Sequence, residues 1–173
     1  EKIKEYDNYW SSIFSNTELP VLNLPYDFPA TTVQNYTGDK ISLAISENMF
    51  TSLEKIATSL QVSSYTLFLT ALYILLYKYT GQNTLLVGSP LAGRSFEEFN
   101  NTIGMFVNNI LLKGCIDGKN SVLELLNTTQ DIVSGAISNQ PYPYELISEK
   151  LNSTNDISLL DVVLTYQNNK VED

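Results

Sequence analysis

Apolar residues along the chain follow two periods, and each switch between them marks the edge of a predicted element. Tyr6 to Phe14 places Trp10 and Phe14 on one side of a short helix. Leu19 to Pro29 contains Pro20, Pro25 and Pro29, which remove backbone donors and favour extended chain, so this stretch reads as a strap. From Lys40, the residues Ile41, Leu43 and Ile45 alternate with Ser42 and Ala44 at the period of a strand with one buried face. Ser46 then caps a helix whose apolar stripe is Met49, Phe50, Leu53, Ile56, Ala57 and Leu60. Ser63 or Ser64 opens a second helix, apolar on nearly every side from Leu67 to Tyr79 and stopped by Gly81. A helix apolar all round belongs in a core.

The second half continues the pattern. Leu85 to Gly88 reads as a buried strand, followed by a Gly/Pro-rich loop through Gly93 and Arg94, and Phe106 to Leu112 as another strand. Ser121-Val122-Leu123-Glu124 has the form of a capping box, in which serine and glutamate satisfy each other's backbone donors at a helix start. Pro143 suits the first position of a short helix reaching Leu151. Leu160, Val162, Leu164 and Tyr166 alternate with Asp161, Val163, Thr165 and Gln167 as a last strand. Strands and helices in this order predict an α/β two-layer sandwich, a mixed β-sheet with helices on one face.

Composition narrows the function. At 173 residues and 43% hydrophobic, the chain is long and apolar enough for one core. A net charge of −9 with scattered cations excludes a nucleic-acid partner, since phosphate binding needs clustered Lys and Arg. The longest apolar run, Leu67 to Tyr77, is too short to span a bilayer, so no membrane partner is expected. The single cysteine, Cys115, cannot form an internal disulfide, which fits a reducing cytoplasm. There is no histidine, so Ser-His-Asp and Cys-His catalysis and histidine-containing zinc sites are impossible within this chain, and no metal or catalytic residue is assigned. Gly88 to Gly93 lacks the endings of a phosphate loop and the spacing of a nucleophile elbow. Glu97 and Glu98 read as a solvated loop, and Asp156 and Asp161 as turn or cap residues at the start of the last strand.

Four segments in fixed order carry a resemblance. Tyr9-Trp10 leads to Leu19-Pro20-Val21-Leu22-Asn23-Leu24-Pro25; then come Val87-Gly88-Ser89-Pro90-Leu91-Ala92-Gly93-Arg94, Ile103-Gly104-Met105-Phe106-Val107-Asn108, and Asn139-Gln140-Pro141-Tyr142-Pro143-Tyr144-Glu145. Together they resemble the C-terminal lobe of a condensation domain from a non-ribosomal peptide synthetase, within the chloramphenicol-acetyltransferase-like superfamily. The resemblance implies residues 1–37 as an inter-lobe helix and Pro-rich strap, and 38–173 as the lobe. It also implies an acceptor-side role in joining carrier-bound thioesters into an amide, with the histidine motif supplied by the N-terminal lobe. The partners implied are that lobe, peptidyl or acyl carrier proteins with their phosphopantetheine arms, and an adjacent adenylation domain; no cofactor is held directly. An exposed lobe-facing surface would let the isolated chain self-associate. A non-catalytic docking module and an epimerase-type relative remain alternatives, the former favoured by Pro141 where the family has aspartate. The family's final Arg-Asp-x-Ser-Arg-Asn-Pro-Leu is reduced here to Asn155-Asp156-Ile157-Ser158-Leu159-Leu160.

By resemblance, the motif positions are Ser89, Gly93, Arg94, Gly104, Phe106, Asn108, Gln140, Tyr144, Glu145 and Asp156. Asn108 can serve either as an amide contact to a carrier-borne ligand or as a tie between strand and loop. Arg94 is a loop anchor or a phosphate ligand. Ser89 is a turn residue or an acceptor contact, and Phe106 belongs to the core or to the substrate wall. Gly104 is expected where a side chain would obstruct a close backbone approach. Gln140, Tyr144 and Glu145 are expected to lock their loop to the short helix.

Overall fold

The computed structural model describes residues 2–15, 21–28, 37–94, 97–99, 101–151 and 159–167. Leu19, Pro20 and Pro29 of the strap, and Asn155 to Ser158 including Asp156, lie outside the described residues. In chain order the elements are α1 (Lys2–Phe14), α2 (Glu47–Ser59), α3 (Ser64–Thr80), β1 (Thr84–Leu91), β2 (Asn108–Cys115), α4 (Val122–Ser138) and α5 (Tyr144–Leu151), with a 3-10 turn at Glu97–Phe99.

The helix starts follow their caps. The side chains of Ser46, Ser63 and Ser121 accept from the backbone N–H groups of Met49, Thr66 and Glu124, and the Glu124 carboxylate accepts in return from the Ser121 N–H at 2.8 Å. Gly81 closes α3. The Pro143 carbonyl accepts from Leu146 at 3.2 Å, so proline sits just ahead of α5.

β1 and β2 form an antiparallel ladder from Thr84↔Cys115 to Leu91↔Asn108. The segment 160–166 adds to the open edge of β1 through one parallel bridge, Gly88↔Val163. Gly88 donates to Val162 and accepts from Leu164, both at 2.9 Å. A Cβ at Gly88 would lie 2.3 Å from Leu160 Cδ2, so a side chain there would require the Leu160 side chain to shift. The sheet among the described residues is thus a two-stranded antiparallel ladder with one parallel bridge at its edge, not the mixed β-sheet that the sequence pattern predicts. α3 and α4 pack on it and on each other, bringing Leu69, Tyr73, Leu125 and Val133 into one core with Leu85, Val87, Ile110 and Leu112. The Tyr73 hydroxyl, buried among these, donates to the Leu112 carbonyl at 2.9 Å, which satisfies the one polar atom its ring carries inward.

Four strand expectations need correction. Ile41 and Leu43 are 95% and 90% exposed and belong to irregular chain. A period of two makes a strand only when a neighbour supplies the ladder, and among the described residues none pairs with this segment. The last strand is reduced to the single bridge at Val163. β2 begins at Asn108, not Phe106, and β1 extends through Ser89, Pro90 and Leu91, which the sequence pattern assigns to the loop. Gly88 points its N–H away from β2, and Pro90, two residues on, points its ring nitrogen the same way. The missing donor thus removes no β1–β2 bond.

α1 joins the same core. Trp10 and Phe14 are buried, and the Trp10 indole donates to the Asn139 carbonyl at 3.1 Å. Asp7 accepts from Tyr142 and from Lys150, fastening α1 to the loop before α5 and to α5 itself. No single described helix is long and apolar enough to cross a membrane.

Candidate functional site

The motif-like segments meet at the end of the β1–β2 ladder, where Leu91 faces Asn108. Beyond Leu91 the chain turns at Gly93, whose φ is +66°. A Cβ there would sit 1.7 Å from the Phe106 carbonyl oxygen, so both conformation and contact demand glycine. Gly93 supplies the close backbone approach expected at Gly104. A Cβ placed on Gly104 would have Phe106 Cε2 as its nearest described neighbour, at 3.4 Å, so among the described residues it is the φ of +156°, and not a close backbone approach, that favours glycine there.

Arg94 holds the loop between the two strands. Its guanidinium donates to the carbonyls of Phe99, of Thr102 at 3.0 Å and of Gly104 at 3.2 Å. It also lies 4.5 Å from the centroid of the Phe106 ring, which stacks on Phe99 at 5.2 Å. This planar fork acts as a loop anchor, replacing the backbone ladder that the segment lacks.

Asn108 ties the strand to the loop before α5. Its amide nitrogen donates to the carbonyls of Gln140 at 2.8 Å and Tyr142 at 2.9 Å, and its amide oxygen accepts from the Tyr144 N–H at 3.2 Å. Both ends of the amide are thus engaged by backbone. The lock between loop and helix runs through the backbones of Gln140, Tyr142 and Tyr144. Glu145 stands exposed in the first turn of α5. Burial raises the pKa of the Tyr144 hydroxyl above the ordinary phenol value. Ser89 is buried beneath the third sheet segment, donating to the Leu164 carbonyl at 3.1 Å.

Between these two fastened loops lies a cavity of about 290 Å³, lined by Gly93, Phe99, Phe106, Asn108, Gln140, Pro141 and Pro143. Of the expected positions, Gly93, Phe106, Asn108 and Gln140 line it, while Ser89, Arg94, Gly104, Tyr144 and Glu145 do not. Phe99, Pro141 and Pro143 complete the wall, and the sequence pattern marks none of them as a lining residue. Phe99 carries no periodic signal, and its place follows from stacking on the ring of Phe106. No group of three His, Cys, Asp or Glu able to hold a metal occurs among the described residues.

A family model, the condensation domain, matches residues 1–173. Bacitracin synthase 2 of Bacillus licheniformis is 39% identical over 170 residues, which is 96% of this chain and 6% of that protein. Among solved structures, a four-domain nonribosomal peptide synthetase bound to AMP and glycine superposes with a TM-score of 0.81 at 22% identity, covering 96% of this chain and 13% of that one. The EpoB cyclization–docking bidomain from Sorangium cellulosum gives a TM-score of 0.83 at 15% identity, over 95% of this chain and 34% of that one. The chain thus spans a small fraction of the length of the relatives it matches.

Proposed function

The chain belongs to the condensation-domain family, and we propose that it is the acceptor-side lobe of a domain that joins carrier-bound thioesters in non-ribosomal peptide synthesis. The observation that carries this reading is the convergence of three family-like segments on one cavity in a chain without histidine. In the reaction, an acceptor amine attacks a donor thioester: a C–N bond forms, the C–S bond breaks, the thiol of the donor arm leaves and the amine loses a proton. This chain offers no imidazole to take that proton, so the base comes from the N-terminal lobe of the same domain. Residues 1–37 then serve as the crossing between lobes and 38–173 as the lobe proper.

Two carrier proteins deliver the thioesters on phosphopantetheine arms, and an adenylation domain lies next along the chain. The apolar side chains of Ile103 and Met105, 102% and 90% exposed beside the motif loop, offer a surface for the other lobe to cover. Within this scheme Asn108 and Arg94 are positioning residues, since their polar groups already hold the loops that frame the cavity. A second reading, a docking module without turnover, is favoured by Pro141, which lines the cavity where the family has a carboxylate.

The test is to co-express the chain with an N-terminal lobe bearing the histidine motif and to assay dipeptidyl transfer between loaded carriers. Transfer that requires both halves supports the reading. A correctly assembled pair that binds carriers without transfer points to the docking module and overturns the first proposal.

A further inference from the structure

The loop between α4 and α5 supplies Gln140, Pro141 and Pro143 to the cavity wall. Within it the Tyr142 N–H donates to the Asn139 carbonyl at 3.3 Å, while Pro141 and Pro143 have no N–H to donate. Asn139 is the C-cap of α4, where carbonyls run out of partners inside the helix. Side chains from two other elements take over. Asn108 of β2 bonds to the backbone of Gln140, Tyr142 and Tyr144. From α1, the buried Trp10 indole donates to the Asn139 carbonyl at 3.1 Å, and the Asp7 carboxylate accepts from the Tyr142 hydroxyl.

The two sets of contacts meet at Tyr142. Its carbonyl accepts from Asn108 and its hydroxyl donates to Asp7, so one buried residue links α1 to the first residue of β2. Lys150 of α5 donates to the same carboxylate oxygen of Asp7 and holds it in place. We propose that Asp7 is a positioning residue for the cavity, acting through Tyr142: α1 sets the wall formed by residues 139–143, and a shift of that helix reshapes the wall. The last turn of α1 is fastened elsewhere, by the bond that Lys113 of β2 donates to the Ile13 carbonyl at 2.8 Å. Contacts of one helix can therefore be removed with and without touching the loop. For turnover the proposal rests on the reading above, in which α1 belongs to the crossing between lobes; a movement of the other lobe then reaches the cavity through this helix.

The test is amide hydrogen exchange of the isotope-labelled 173-residue chain, followed by nuclear magnetic resonance. The reporters are the backbone N–H groups at positions 142 and 144, which bond to Asn139 and Asn108 and not to α1. Tyr142→Phe and Asp7→Ala remove the same bond from either end. Each speeds exchange at both positions about fivefold, the effect of one hydrogen bond broken in the local opening. Asp7→Asn, which keeps an oxygen for the tyrosine, speeds it less. Lys113→Met removes a bond of the same helix away from the loop; it lowers overall stability and leaves both rates as in the parent chain. The proposal is overturned if Tyr142→Phe or Asp7→Ala leaves both rates unchanged. It is equally overturned if Lys113→Met speeds them by the same factor, since Asp7 is then one more contributor to the stability of the whole chain. Because exchange is read on this chain alone, it can fail while dipeptidyl transfer by the assembled domain succeeds, and the reverse.

Discussion

Asn108→Ala is the substitution whose cost the structure determines most directly. It removes two donated bonds, to Gln140 at 2.8 Å and Tyr142 at 2.9 Å, and one accepted bond, from Tyr144 at 3.2 Å. A neutral intramolecular hydrogen bond contributes about 1 kcal/mol net, and a stranded buried partner costs somewhat more. Asn108 is only half-buried, so water can reach part of the freed backbone. The expected loss is about 2–3 kcal/mol, a large share of the roughly 5–15 kcal/mol typical of a domain. Asn108→Asp keeps the acceptor for Tyr144 but turns a carboxylate oxygen toward two carbonyl oxygens. At neutral pH it should therefore destabilise at least as much as alanine, and recover in part as acid protonates the new carboxyl. Urea unfolding with an unchanged slope measures both losses, and faster hydrogen exchange at the Tyr144 amide localises them. An alanine variant that loses less than about 0.5 kcal/mol, the range of ordinary surface changes, together with a tolerated aspartate, would refute the account of this clamp.

Gly93→Ala forces an L side chain into a φ of +66° and sets its Cβ 1.7 Å from the Phe106 carbonyl oxygen. The conformation alone costs roughly 1–2 kcal/mol, and the displaced loop adds to it, so the melting temperature should fall clearly; an unchanged melt contradicts the close approach. Asp7 is held below its ordinary carboxyl pKa by the hydrogen bond from Lys150 and then by that from Tyr142. A depressed native pKa contributes stability that is complete above the ordinary value of 3.8 and is lost as pH falls through the lower native value. Urea unfolding across the acid range should accordingly show a shallower pH dependence for Asp7→Asn than for the parent, and identical slopes would dismiss the contact.

Local signals are legible in the sequence wherever the physics is local. Ser121 and Glu124 lie three residues apart and satisfy each other, and Ser63 and Gly81 bracket α3 through atoms within one turn of each end. Features that need a distant partner are not. Ile41, Leu43 and Ile45 alternate correctly, yet nothing among the described residues pairs with them. The Asp7–Lys150 contact joins positions 143 apart and has no counterpart in any short window. At the site, the resemblance points to Gly93, Phe106, Asn108 and Gln140, which do converge. It does not tell that the amide of Asn108 is engaged by backbone at both ends, because that depends on which carbonyls the loop presents after folding.

Most of the cavity wall, including Phe99, Phe106, Pro141 and Pro143, comes from segments that contribute nothing to the β1–β2 ladder. Their shape is held in part by two side chains, Arg94 and Asn108, acting from outside the wall and from its base. Replacing Pro141 or Pro143 therefore remodels what the cavity admits without removing a bond of the strands beneath. A scaffold arranged this way can diversify its ligand while inheriting its architecture intact.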